Sequence, residues 1–334
     1  MGGTMLRAIL AALALAACVI SPATAAQYKI MIATWRGCEE ACNGFQDYLN
    51  EAGIDIDFLI RDAGRDPSKL PEFIAEARAE KVDLILTWGT SVTRGIAGTL
   101  DDLDNPNIPH EIPRVFTVVA DPIGARIVES FENTGRKNVA GTFNRVPERV
   151  NIETIRLYLP SFSHLGLLYN RNEKNSVLKQ AEMAALSEEM NYAFTAVELP
   201  LHADGKPRTE DIGPKMAELQ AAGVDFLYLG SSTFLDVNRD VYTAAALENG
   251  IPILSPYERL VRDSQALISI AAPWYDTGRL AGAQAEKILV GGASPGDLSV
   301  ARMTDFTFVI NMDVARKLNL PPPIELLLIA ETVN

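Results

Sequence analysis

Three tryptophans, a pair of close cysteines, and hydroxyl and acidic residues at recurring positions are the groups in this chain with chemistry to offer. Trp35, Trp88 and Trp274 each fall where an apolar run ends. An indole presents a flat stacking face and holds a cation over its ring. Three at equivalent places suggest a wall around a ligand rather than three separate core edges. Tyr169, Tyr257 and Tyr275 fall at similar places. Thr90-Ser91 and Ser231-Ser232 stand between an apolar run and an amphipathic one. Hydroxyls there cap a helix, and the free backbone N–H groups beside them hold an anion. Asp121, before Pro122, offers an acceptor to a ligand amine or a cap to its own turn. Asn175-Ser176 opens a further helix on the same side. The candidate ligand-binding residues are therefore Trp35, Trp88, Thr90, Ser91, Asp121, Tyr169, Asn175, Ser176, Ser232 and Trp274.

Cys38 and Cys42 stand four residues apart at the start of an amphipathic run. On a helix that separation puts Cα atoms about 6 Å apart, inside disulfide range. In an oxidising compartment an isolated close pair favours a disulfide. Two small buried residues at a helix start, or a metal pair, are the other readings. His110, His164 and His202 show no ligand spacing with the cysteines or with each other, so no metal is assigned. No dinucleotide fingerprint, Walker loop, nucleophile elbow or H-E-x-x-H helix occurs. Neither a cofactor nor a catalytic residue is expected, and the chain does not read as an enzyme.

The elements that must position these residues alternate regularly. Strands are expected near Tyr28-Thr34, Ile54-Arg61, Leu84-Trp88, Val115-Val119 and Val139-Phe143, separated by helical patterns that include Ala41-Ala52 and Ala125-Phe131. The second half repeats the scheme, with strands near Leu165-Tyr169, Phe194-Glu198, Phe226-Leu229, Ile253-Ser255 and Leu267-Ile270, and helical patterns that include Val237-Asn249. Such alternation implies βαβ units and mainly parallel sheets. The fold class is α/β, with two doubly wound parallel-sheet lobes joined by a hinge. The candidate residues gather at the strands' carboxyl ends, where such sheets bind ligands. Residues 27–143 plus about 274–302 are expected to form the first lobe, and 144–273 plus about 303–334 the second. The strand Phe306-Ile310 suits either lobe.

The chain has 334 residues and a formal net charge of -13, which opposes binding to nucleic acid or to anionic lipid. Arg7 is followed by an uninterrupted small and apolar run, Ala8 to Ile20, too short to span a bilayer but suited to a secretory signal peptide over residues 1–26. Cleavage at the small residues Ala23 to Ala26 competes with a lipobox reading of Leu15-Ala16-Ala17-Cys18, which would leave Cys18 as a lipid anchor. Either way the chain is expected to be exported to the periplasm.

Several motifs in order carry a resemblance. Val115-Phe-Thr-Val-Val-Ala-Asp-Pro-Ile-Gly124, Asn138-Val-Ala-Gly141, Leu167-Leu-Tyr-Asn170 with Glu173-Lys-Asn-Ser176, and Val309-Ile-Asn-Met-Asp-Val-Ala-Arg-Lys-Leu318 resemble the ABC transporter substrate-binding family that includes tryptophan- and phenylalanine-type binding proteins. The resemblance runs from about Tyr28 to the C-terminus. It implies a type I periplasmic-binding fold and a solute-binding component of an ABC importer, with permease and ATPase subunits as partners. The ligand would be a small organic molecule (an amino acid, or an aromatic or amine-like compound) held between the lobes. It also implies ligand contacts at Thr90, Ser91, Asp121, Asn175 and Ser176. Two loops depart from the family's form. One is Trp35-Arg36-Gly37-Cys38. The other is Ser231-Ser232-Thr233, where the family often has an acid, so the second lobe would lack a partner for a ligand ammonium. A ligand-sensing module that docks onto a membrane receptor, and a secreted hydrolase, are the alternatives.

Overall fold

The computed structural model describes residues 26–334; Cys18 and the apolar run before it lie outside the described residues. The chain builds two sheets. The first contains β1 (Tyr28–Thr34), β2 (Ile56–Asp62), β3 (Leu84–Trp88), β4 (Arg114–Thr117) and β5 (Val139–Phe143). The second contains β6 (His164–Tyr169), β7 (Ala193–Glu198), β8 (Phe226–Tyr228), β9 (Ile253–Ser255) and β10 (Ile268–Ala271). The spatial orders are β2-β1-β3-β4-β5 and β7-β6-β8-β9-β10, the same sequence of crossovers twice, and all these neighbours are parallel. Both sheets are therefore doubly wound, as the alternation of elements predicts. Leu84 to Trp88 are buried throughout, because helices cover both faces of the strand.

The C-terminal strands complete both sheets. β11 (Ala301–Arg302) pairs with β5 in the first. β12 (Thr307–Asn311) runs antiparallel to β10 in the second, and β13 (Glu331–Val333) follows it. The segment that suited either lobe by sequence thus joins the second sheet. The main chain passes between the sheets after β5, after β10 and after β11.

The helices that matter for the site follow strand ends: α1 (Glu40–Glu51), α2 (Leu70–Ala79), α3 (Thr90–Ile96), α4 (Glu148–Tyr158), α5 (Lys174–Met190), α6 (Ile212–Ala221), α7 (Thr233–Val237), α8 (Arg239–Glu248), α9 (Arg259–Arg262) and α10 (Trp274–Leu289). Two expectations need correction. Ala125–Phe131 forms turns, not a helix: Arg126 takes a left-handed φ of 57°, which breaks helical propagation. The helix expected over Val237–Asn249 begins earlier and divides at Asn238 into α7 and α8. Among the described residues, no helix is long and apolar enough to cross a membrane.

A disulfide joins Cys38 to Cys42, with Cα atoms 5.2 Å apart. It ties the loop after β1 to the first turn of α1. It closes so short a loop that its contribution should fall below the usual 2–4 kcal/mol, roughly. Its consequence is local: it restrains the backbone that carries Trp35 and Arg36. Intact mass after alkylation without reductant should show no labelled thiol on these residues in protein taken from its native compartment. Two labels there would refute the bridge.

After β10 the chain returns to the first sheet as α10, which lies directly on α1. The approach is close enough to require glycine. A Cβ on Gly44 would sit 2.0 Å from the carbonyl oxygen of Tyr275, and one on Gly278 would sit 2.0 Å from that of Ala41. Backbone meets backbone here, so no rotamer change relieves the clash. Gly278→Ala should therefore cost about 2 kcal/mol through overpacking. Gly213→Ala in α6, where a methyl group meets nothing within 4 Å, should instead gain up to about 1 kcal/mol of helix propensity. Urea unfolding of the two variants measures the contrast, and equal midpoints would show that the α1–α10 seam yields.

Candidate ligand-binding cleft

Carboxyl ends of both sheets line a cavity of about 60 Å³. From the first sheet, β1 delivers Trp35 and Arg36, β3 delivers Trp88 and then Thr90 and Ser91, and the end of β4 delivers Val118 and Ala120. From the second come Asn175 on α5, Ser232 and Thr233 at the start of α7, Asp236 on α7, and Tyr257 after β9. Trp274, the first residue of α10, closes the wall where the chain crosses back.

Local backbone chemistry shapes these ends. Gly89 has a φ of 83°, open to glycine without a Cβ penalty, and this turns the chain from β3 into α3. The Thr93 hydroxyl donates to the Gly89 carbonyl at 2.8 Å and fixes the turn. Val118 is held at φ 54°, a strained conformation for a β-branched residue. Strain of this kind persists only where the surroundings over-determine it, and it lies in the cavity wall.

Seven of the ten predicted residues line the cavity: Trp35, Trp88, Thr90, Ser91, Asn175, Ser232 and Trp274. The tryptophans serve as core and wall at once. Trp88 and Trp274 are 5% and 8% exposed and meet edge to face at 5.6 Å and 81°. Tyr257 adds a second such contact with Trp274, at 5.7 Å and 77°. Buried Trp88 Nε1 has no hydrogen-bond partner among the described residues, which leaves a donor for a ligand acceptor.

Three predicted residues are not brought to the cavity. Asp121 Oδ1 accepts the Gly124 N–H at 2.7 Å, so this carboxylate caps its own turn. The Tyr169 ring packs against the core of the second lobe, and its hydroxyl donates to Glu198 at 3.2 Å. Strand alternation puts the next residue, Asn170, on the other face, where its Oδ1 accepts from Ser232 at 2.6 Å and from Ser176 at 3.2 Å. Ser176 is thus buried behind the wall and holds Asn170, which holds Ser232.

The sequence reading missed the charges. Asp236, 4% exposed, supplies the acid that the Ser231-Ser232-Thr233 loop seemed to deny the second lobe. It lies one helical turn after Ser232, a spacing that returns it to the same side, and that was the available signal. Across the cleft, Arg36 Nη1 lies 2.6 Å from Asp236 Oδ2, and Arg36 Nε lies 3.1 Å from Glu39. Burial works to lower the Arg36 pKa, but Asp236 and Glu39 outweigh it and leave the value raised, so the guanidinium stays charged. Arg259 Nε donates to Asp236 at 2.8 Å, and its Nη1 lies 3.6 Å from Glu39. Four charges of alternating sign thus form a closed ring, two from each lobe. No local pattern marks Arg259; only the packing of α9 against this edge places it there.

The polar wall of the second lobe is fastened from behind. Asn175 Nδ2 donates to the Ser231 carbonyl, and Arg145 donates to the Ser231 hydroxyl. Glu173 accepts the N–H groups of Thr233 at 2.6 Å and Phe234 at 3.0 Å. Burial raises the Glu173 pKa despite these bonds.

This arrangement can enclose a small molecule and pair with it from two lobes, and known proteins share the fold that carries it. A family model described as ABC transporter substrate binding protein matches residues 32–334. The tyrosine-binding protein of Clostridioides difficile (strain R20291) is 26% identical over 288 residues, covering 84% of this chain and 77% of that protein. A conserved domain protein from Vibrio cholerae superposes with a TM-score of 0.77 at 20% identity, covering 92% of this chain and 99% of the other. An ABC domain in complex with L-Trp from Streptococcus pneumonia superposes with a TM-score of 0.75 at 22% identity, covering 91% and 100%. The fold is that of the type I periplasmic binding proteins. With the family model spanning both lobes, the chain belongs to the ABC transporter substrate binding protein family.

Proposed function

We propose that this chain is the extracytoplasmic solute-binding component of an ABC importer, and that it captures a small organic ligand in the cleft between its lobes. One observation carries the reading: a cavity is walled by strand ends of both sheets, so a molecule that fills it bridges the two lobes. The chain would hand its ligand unchanged to a permease driven by an ATPase subunit, in the periplasm. The lobes that move are residues 27–143 with about 274–302, and 144–273 with about 303–334. Their division follows the three crossings of the main chain.

An amino-acid, aromatic or amine-like ligand remains the reading of the site. The relative named for tyrosine and the neighbour bound to L-Trp support an amino-acid class. The wall of Thr90, Ser91, Asn175 and Ser232 suits a polar or anionic end. Asp236, not Asp121, is the acid that lines the cavity, and Arg36 and Arg259 already pair with it.

Two lobes on a few hinge segments close around their ligand. Small-angle scattering should show compaction when the compound that co-purifies with the protein is restored to stripped protein; an unchanged radius of gyration at saturation would count against the hinge. Trp88→Ala removes a buried wall and the Nε1 donor. Calorimetric titration with the same compound should show binding weaker by about 2 kcal/mol, roughly thirty-fold. A folded variant that binds like the wild type would make Trp88 a core residue only.

A further inference from the structure

The aromatic slot of the cleft already has an occupant. The Arg36 guanidinium carbon lies 5.3 Å from the Trp88 ring centroid and 5.7 Å from that of Trp274. Both distances fit a cation held over an aromatic face. Arg36 also has a buried counter-ion in Asp236, which is 5% exposed at its side chain. Two ring faces and a buried carboxylate are what an organic cation or a cationic arene would seek here. A side chain of the protein takes all three.

The space left beside Arg36 is about 60 Å³. Pockets that bury a drug-sized ligand are larger, on the order of 300 Å³ or more. An arene that is to lie on these two rings therefore needs Arg36 to leave. Leaving would break a buried ion pair across the cleft and uncover Asp236, held then by Arg259 alone. Arg259, from the second lobe, lies over the Trp274 ring at 4.4 Å. Arg36 also stands in the loop Trp35-Arg36-Gly37-Cys38, which the Cys38–Cys42 bridge restrains.

We propose that Arg36 is the specificity-determining residue of this cavity: as a resident cation against the Trp88 and Trp274 rings it keeps arenes and organic cations off them, and it restricts what the cavity admits to a compact molecule. The ligand sits against the hydroxyl and amide wall and offers an acceptor to Trp88 Nε1. This narrows the ligand class proposed above and rests on that reading of the cleft.

The test needs no natural ligand. Arg36→Ala leaves an empty cage backed by Asp236, and methylguanidinium is the probe that replaces what was removed. Millimolar methylguanidinium should raise the melting temperature of Arg36→Ala and change its tryptophan fluorescence saturably, with affinity at least about tenfold above the wild type. The gain should vanish in Arg36→Ala combined with Asp236→Asn. L-tryptophan and L-tyrosine should likewise bind the single variant and not the wild type. Arg36→Gln carries the same expectation if Arg36→Ala does not fold. Wild-type protein that binds methylguanidinium or L-tryptophan as tightly as the variants overturns the proposal, and so does a folded variant that accepts neither probe. Failure of the broader reading looks different: the cage then binds the probes, but scattering shows no compaction with the co-purified compound.

Discussion

A carboxylate buried to the extent of Asp236 cannot stand alone, and the way this chain satisfies it ties the two lobes together. Its partners come from both sides: Arg36 from the end of β1 and Arg259 from α9. Each lobe also keeps an internal pair, Arg36 with Glu39 in the first and Asp236 with Arg259 in the second. Separation of the lobes therefore leaves no bare charge in either half, while closure restores the full ring. The arrangement lets a charged interface form and part reversibly, because neither state isolates an ion in a low-dielectric setting.

Everything around the ring serves to place it. Two sheets with the same strand order aim their carboxyl ends at one another, the place where doubly wound sheets gather ligand contacts. The α1–α10 seam, tight enough that Gly44 and Gly278 touch carbonyl oxygens of the opposite helix, fixes Trp274 against Trp88. The bridge at Cys38 restrains the loop that carries Arg36. Behind the second lobe's wall, Ser176, Asn170 and Ser232 form a chain of hydrogen bonds with no slack in it. The residues that line the cavity are thus held by elements whose own positions are set by packing.

Local pattern made much of this legible. Alternating apolar and amphipathic runs determined two α/β halves, because strand and helix periods are properties of the chain itself. The change from apolar run to capping hydroxyl located Thr90, Ser91 and Ser232 at the rim, and the tryptophans at strand ends marked the wall. The spacing of Cys38 and Cys42 pointed to their disulfide. The same logic failed at Ala125–Phe131, where helical periodicity lost to a left-handed residue and a self-capped turn. It failed again at Tyr169, where the strand end was right but the pleat sent the ring inward and put Asn170 behind the wall, bonded to Ser232.

By itself the sequence determined the fold class, the repetition of the lobes and the sheet edge at which the cavity opens. Only the tertiary structure decided which acid serves the cleft and what already fills it. Asp121 follows β4 and Asp236 lies one helical turn after Ser232; that spacing hints at a side, but not at which acid caps its own turn and which meets Arg36. That choice depends on residues 200 positions apart in the chain, Arg36 and Asp236, arriving 2.6 Å from each other. Electrostatic pairing acts through space, whereas periodicity acts along the chain, so the scaffold could be read from the sequence and the charge ring could not.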